Sequence, residues 1–292
     1  MAEILTIFTP TYNRAYILPC LYNSLCKQTC MKFEWLIVDD GSSDNTEELV
    51  DGWIEENKIC IRYFKQKNGG KQRAHNLGVE KCNTELFVCV DSDDYVVPTF
   101  VELHLKRWDE VKMDSSIGGI ISLQGHEDGT PMGTLFPKDI DKTTLTLLYT
   151  KLRFRGDATL MHRTQLLKEH PFIVEEGEKF IGEGYVYYQI DQNYQLALLP
   201  QILMIKEYLP DGYTKNVRKI TKENPRSYMR LKKQSIEFAH SWIERYVQTI
   251  LFLVGCRMGR ESHPISSAPY RILAILAYFP SWLTWRLFYK NA

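Results

Sequence analysis

The 292-residue chain lacks any apolar run of the roughly 20 residues needed to cross a bilayer, which excludes a spanning helix. It has no internal repeat and no low-complexity stretch, so neither a solenoid nor a disordered tract is expected. Its seven cysteines (Cys20, Cys26, Cys30, Cys60, Cys82, Cys89 and Cys256) are odd in number and scattered. With no C-x-x-C pair among them, they argue against a disulfide framework or a zinc site and read as reduced packing residues. Met1-Ala2-Glu3 leads directly into apolar residues 4–8, without the basic start, long apolar stretch and small-residue cleavage site of a secretory signal. A cytoplasmic location is therefore expected. No G-x-x-x-x-G-K-[ST] motif is present, which excludes a P-loop.

What is present is ordinary globular composition, 44% hydrophobic and 25% charged, enough for one large or two small cores. Apolar runs at 4–8, 35–38, 59–64 and 86–90 are short, rich in β-branched and aromatic residues, and bounded by polar turns. Such runs predict buried parallel strands. Between them, 15–27, 46–56 and 71–80 have helical spacing, with Asp44 and Glu47 in a capping-box pattern before the second. Strand and helix alternate over the first hundred residues, the mark of an α/β layer fold with a mostly parallel sheet. After 111 the alternation weakens to strands at 119–123 and 159–162, a helix at 185–192, and a polar boundary at 215–226. The expected division is 1–214, with 1–110 and 111–214 as its halves, followed by 215–292.

Ligands in such sheets sit beyond the carboxyl ends of the strands. Those positions hold Pro10-Thr11-Tyr12-Asn13-Arg14, Asp39-Asp40-Gly41-Ser42, Asn68-Gly69-Gly70-Lys71 and Asp91-Ser92-Asp93-Asp94. Three aspartates within four residues repel one another, and Asp-x-Asp suits a hard divalent cation such as Mg²⁺ or Mn²⁺. The alternative is a solvated loop whose aspartates cap the helix at 98–111. Asp39 and Asp40 can accept from a ring N–H or from ribose hydroxyls, or can belong to a tight turn. Lys71 and Arg73 place cations in a first helical turn, where an anionic ligand explains them.

Thr9-Pro-Thr-Tyr-Asn-Arg14, Val38-Asp-Asp-Gly-Ser-Ser-Asp44, Asn68-Gly-Gly-Lys71 with Ala74 and Asn76, and Val90-Asp-Ser-Asp-Asp94 together resemble the family 2 glycosyltransferases. The resemblance covers residues 3 to 210. It implies the GT-A fold, a Rossmann-like sheet flanked by helices, with residues 1–110 binding the nucleotide-sugar and 111–214 the acceptor; residues 215–292 then form a C-terminal helical extension beyond it. It implies inverting transfer of a hexosyl or N-acetylhexosaminyl group from a UDP-sugar, with Mn²⁺ or Mg²⁺. Carried over by position, Pro10 and Tyr12 line the nucleoside pocket, and Asp40, beside Asp39, contacts the base. Lys71 with Arg73 or Asn76 closes over the nucleotide. Asp91, followed by Ser92, meets ribose or sugar hydroxyls, and Asp93 is the metal ligand with Asp94 as second ligand. The family's late Glu-Asp pair is replaced by Glu183-Gly184. Glu183 is the expected base, with Asp157 and Glu178 as rivals; Phe154-Arg155-Gly156-Asp157 fits an acceptor contact or a turn. His75, His104 and His162 lack partners at metal spacing and read as packing or surface residues. Trp108, Phe154 and Tyr185 can stack on sugars, with core packing the default.

From 224 onward, ten Lys and Arg face three acids (Glu237, Glu244 and Glu261), so this tail is +7 and the remainder −7. The apolar runs at 247–256 and 272–283, with Trp and Tyr among arginines, point to interfacial helices on an anionic leaflet rather than to nucleic acid. Packing on the catalytic domain or an oligomer interface is the alternative. The resemblance supplies a matching acceptor, a polyprenyl-diphosphate-linked glycan of bacterial surface-polysaccharide synthesis, at the inner face of the cytoplasmic membrane. Two rivals stand: a sugar-phosphate nucleotidyltransferase, against which the missing early G-x-G-[ST] loop counts, and a non-catalytic nucleotide-sugar or membrane-binding module.

Overall fold

The computed structural model describes residues 4–206 and 213–290. The chain forms two compact units, one of Met1–Pro171 with Val186–Tyr208 and one of Phe172–Tyr185 with Leu209–Ala292.

In the first unit the chain runs β1 (Leu5–Thr11), α1 (Leu18–Leu25), β2 (Phe33–Asp39), α2 (Thr46–Glu56), β3 (Ile61–Lys65), α3 (Lys71–Lys81) and β4 (Leu86–Cys89). It continues as β5 (Tyr95–Val96), α4 (Phe100–Val111), β6 (Ile117–Gly125), β7 (Lys142–Thr143), α5 (Leu145–Thr150), β8 (Ala158–Arg163), α6 (Thr164–Glu169), α7 (Gly184–Ile190), of which Gly184 and Tyr185 are counted with the second unit, and β9 (Gln195–Ile205). One sheet takes all the strands in the order β3-β2-β1-β4-β8-β6-β9-β5, with β7 also on β9. The expected parallel arrangement holds across β3-β2-β1-β4, where strand and helix alternate. Beyond β4 the sheet is mixed: β8 is antiparallel to both β4 and β6, while β9 is parallel to β6. Loss of the alternation after α4 is the physical reason, since only a crossover returns a chain parallel to its neighbour.

Period-two alternation along the strands sorts the side chains onto two faces. Leu5 and Ile7 with Trp35, Ile37, Leu86 and Val88 join one core with Leu18, Leu21 and Leu25 of α1 and Val50 and Trp53 of α2. Phe8 and Phe87 stack at 5.2 Å and meet His75 of α3 edge-on. A Cβ on Gly78 would lie 2.4 Å from the Phe8 ring, so glycine there lets α3 close on the sheet. Pairing β2 on one side of β1 and β4 on the other makes a topological switch point, whose crevice lies beyond the ends of β1 and β4.

The second unit holds α8 (Tyr213–Glu223), α9 (Pro225–Phe238), α10 (Trp242–Met258) and α11 (Arg271–Phe288). The polar stretch expected as a boundary is thus α8 and the first residues of α9. Ile236, Phe252, Leu253, Cys256, Ala268, Ala274 and Ala277 form the core of this unit. Ser241 caps α10 by accepting the Glu244 amide. Pro280 lies inside α11 and cannot donate to the Leu276 carbonyl four residues back; the Tyr246 hydroxyl of α10 bonds that carbonyl at 3.3 Å. Among the described residues no helix is long and apolar enough to cross a membrane.

Candidate active site

The loops after β1 and β2 hold each other. Asn13 sits at φ 53° in the left-handed region, its amide donating to Ser42 Oγ (2.8 Å) while its Oδ1 accepts the Ser43 amide (2.8 Å). Asp44 accepts the amides of Ala15 and Thr46 and the Thr46 hydroxyl, ahead of α2, which holds its carboxyl below the usual range despite burial. Glu47 pairs with Lys65 at 2.6 Å instead of completing a capping box. Asp39 is buried and accepts the Ser42 amide (2.7 Å) and the Tyr63 hydroxyl (2.6 Å). Burial and this bond to Asp39 push the Tyr63 phenol well up.

Asp40 works across the crevice mouth. One oxygen accepts Gln66 Nε2 (2.7 Å) and the Gly69 amide (2.8 Å), the other the Gly70 amide (2.8 Å). That grip sets the start of α3, and Gly70 makes the turn at φ 96°. Lys71, the first residue of α3, reaches Asp91 beyond β4 at 2.7 Å. Arg73 bends back to the Gly69 carbonyl at 2.7 Å, and Asn76 is half-buried one turn on from Gln72. Pro10 is buried in β1 opposite Val38, while Tyr12 is 49% exposed at the crevice edge.

The acids beyond β4 are held differently. Burial works to raise the Asp91 carboxyl, but the ammonium groups of Lys71 and Lys206 outweigh it and hold the group below the usual range. Burial and the neighbouring Asp91 charge raise Asp93. Asp94 is 2% exposed, its Oδ1 has no hydrogen-bond partner, and burial followed by Asp91 pushes it up to about 8. Ser92 is buried between them.

Lys206, just past β9, is a residue that sequence reasoning missed. It pairs with Asp157 at 3.4 Å, and although burial opposes its charge, Asp94, Asp91 and Asp157 raise its ammonium above the usual lysine value. The available signal was a cation after an apolar strand. Pro200 and Gln201 hid it by interrupting the run, and the ladder bulges there, passing from Leu199 opposite Ser122 to Ile202 opposite Leu123.

Asp93 and Asp94 fit a hard divalent cation by donor chemistry: two carboxylates, one with a buried oxygen lacking any partner, both raised by burial and like charge. Among the described residues no group of three or more His, Cys, Asp or Glu could hold a metal, so phosphate oxygens and water would complete the shell. The remaining sequence candidates are distributed elsewhere. Glu183 is exposed just before α7, in the second unit. Glu178 is buried and accepts the Arg226 (2.9 Å) and Ser227 (2.7 Å) amides, so it is bound into the first turn of α9. Trp108, Phe154 and Tyr185 are buried, as are His75, His104 and His162, whose imidazoles burial pushes down to about 3, 4 and 4. All seven cysteines are free.

The sequence profile of glycosyl transferase family 2 matches residues 6–170. The glycosyltransferase GlyG of Streptococcus pneumoniae is 33% identical over 120 residues, 40% of this chain and 39% of GlyG. The poly(ribitol-phosphate) β-N-acetylglucosaminyltransferase TarS of Staphylococcus aureus is 27% identical over 173 residues, 59% of this chain and 29% of TarS. The chain thus spans well under half the length of these two relatives. In structure it resembles residues 1–349 of S. aureus TarS in complex with UDP-GlcNAc, with TM-score 0.61 and 17% identity over 98% of this chain and 92% of that one. It also resembles the mannosyltransferase PcManGT of Pyrobaculum calidifontis in complex with GDP-Man and Mn²⁺, with TM-score 0.58 and 15% identity over 97% and 81%. The fold is of the GT-A type, and the chain belongs to glycosyl transferase family 2.

Proposed function

We propose that the chain is a metal-dependent inverting glycosyltransferase that moves a sugar from a UDP-sugar to an acceptor hydroxyl, on a polyprenyl-diphosphate-linked glycan at an anionic membrane face. The observation that carries the reading is the arrangement beyond β4, where Lys71 grips Asp91 at 2.7 Å beside two further carboxylates that repel it and each other. A buried carboxylate oxygen without a partner is costly unless a ligand satisfies it. The TarS complex with UDP-GlcNAc and the PcManGT complex with Mn²⁺ support a nucleotide-sugar and a dication at such a site.

In this reading Pro10 and Tyr12 flank the nucleoside, with Asp39 and Asp40 setting the loop around its base. Asp40 also sets the start of α3, from which Lys71, Arg73 and Asn76 face the nucleotide. Asp91, kept ionised by Lys71 and Lys206, accepts hydroxyls of ribose or the donor sugar. Asp93 and Asp94 would hold Mn²⁺ or Mg²⁺, which when bound supplies charge neutralisation for the departing diphosphate. Inversion needs a carboxylate to take the acceptor hydroxyl's proton, the role given to Glu183, with Asp157 the alternative through its pairing with Lys206. Trapping the fixed charges around Asp91 before the reaction is what makes them catalytic, because no reorganisation is then needed.

The test is UDP release from a panel of UDP-sugars with Mn²⁺, run on the parent and on Asp93→Asn. Turnover should fall at least about 100-fold in the variant, with an unchanged melting temperature. Unimpaired turnover in Asp93→Asn would refute the metal assignment, and activity confined to GDP- or dTDP-sugars would refute the uridine one.

A further inference from the structure

Between α10, α11 and the loop joining them lies a cavity of about 310 Å³. Leu253, Pro264, Tyr278 and Trp285 give it an apolar wall, and Arg257 and Arg260 supply cations. The Arg257 guanidinium lies 4.7 Å over the Tyr278 ring, and its Nε is buried with no hydrogen-bond partner. The acceptor that fits two arginines beside an apolar wall is an anionic group joined to an apolar body, since guanidinium matches phosphate oxygens while the wall excludes water. Glu261 also lines the cavity, but its Oε1 accepts the His263 amide and the Ser267 hydroxyl.

The source of that group is read from α11. At 3.6 residues per turn, Ile272, Ile275, Leu276, Phe279, Leu283 and Leu287 share one face, and all are exposed, Ile272 at 76% and Phe279 at 68%. Ala274, Ala277 and Ser281 are buried on the other side. Tyr278 and Trp285 fall on the flank between the two, which puts the cavity beside the exposed apolar face. Arg271 begins the helix, Arg286 lies in its last turn, and Lys290 follows it. An apolar helix face bordered by cations, in a tail of charge +7, matches an anionic bilayer surface.

We infer that this cavity binds the phosphate headgroup of an anionic lipid, with Arg257 and Arg260 on the phosphate oxygens and the apolar wall against the adjoining carbons, while α11 lies along the bilayer. The inference rests on the membrane part of the proposed function and adds a defined lipid site to it.

Two arms test it on the full chain. In the first, soluble short-chain phosphatidylglycerol and inorganic phosphate are titrated while thermal unfolding is followed. The lipid should stabilise the parent and Lys219→Gln/Lys233→Gln, which removes two exposed charges elsewhere, yet bind Arg257→Gln/Arg260→Asn at least about tenfold more weakly. Asparagine suits position 260 because the backbone there has φ 54°. Arg260→Asn alone, which leaves the Arg257–Tyr278 contact intact, should show a weaker loss in the same direction and decides the matter if the double variant does not fold. Equal stabilisation of parent and cavity variants overturns the site, and stabilisation by inorganic phosphate as strong as by the lipid overturns the lipid assignment. In the second arm, flotation with phosphatidylcholine vesicles, with and without phosphatidylglycerol, should capture the parent only in the anionic case. Capture by neither vesicle sinks the membrane reading beneath the inference; undiminished capture of the cavity variants sinks the cavity alone.

Discussion

Asp39–Asp40 at the end of β2 and Asp93–Asp94 beyond β4 are both adjacent acids at strand ends of one sheet, and they are held in opposite ways. The β2 pair is satisfied: Asp39 accepts an amide and a phenol, and Asp40 accepts two glycine amides and a side-chain amide. The β4 pair has burial and like charge against it, and one oxygen of Asp94 has no partner at all. Carboxylates with full sets of N–H donors stabilise the fold that supplies them. Carboxylates buried without donors cost stability, and a fold retains them where a ligand supplies the missing charge. Under the proposed function, the satisfied pair builds the loop in which Asp40 meets the base, and the unsatisfied pair holds the cation.

The largest effect that would break this division is on turnover. Asp94→Asn keeps the shape and removes the charge, so sugar transfer should fall about 100- to 1,000-fold while the unfolding temperature holds or rises. Steady-state UDP release together with calorimetry checks both halves, and a variant that is active but unstable would reverse the roles of the pairs. Next in size is Asp40→Ala. It leaves the Gly69 and Gly70 amides and the Gln66 side chain without their acceptor, and should cost about 3 kcal/mol in urea unfolding. A loss under about 1 kcal/mol would mean that water replaces the carboxylate, and the loop would not need Asp40 to stay in place.

Before the structure, the two pairs looked alike, because both are acids after an apolar run and the distinguishing donors come from elsewhere in the chain. Gln66, Gly69 and Gly70 lie some thirty residues from Asp40, and Lys206 lies more than a hundred from Asp91. Strands β1 to β4 were legible because each is a short β-branched run closed by a turn. Strand β9 was not, since Pro200 breaks its pattern and only the bulge against β6 reveals how the sheet absorbs it. Glu178 had the residue type of a base, and what removes it from that role is its place against the α9 amides, set by packing within the second unit. The polar stretch ahead of α9 lacked apolar content and read as a boundary, yet it is helical.

The smallest effect sharpens the comparison through protons. Without a cation, Asp94 has its carboxyl raised to about 8, so over the range between its ordinary value and 8 the folded chain binds more protons than the unfolded one. Its contribution to stability is then most favourable at low pH and declines as pH rises toward 8, the reverse of a salt-bridged carboxylate. A dication binds only the ionised form, so Mn²⁺ must displace that proton. Below about pH 8 the Mn²⁺ affinity should fall by up to tenfold per pH unit, with as much as one proton released per ion, and above it both quantities should level off. Titration calorimetry in buffers of differing ionisation enthalpy reads the proton count directly. Asp94→Asn should lower the release to the part that Asp93, also raised, still supplies, whereas Asp40→Asn should leave it unchanged, because Asp40 is held by the loop amides.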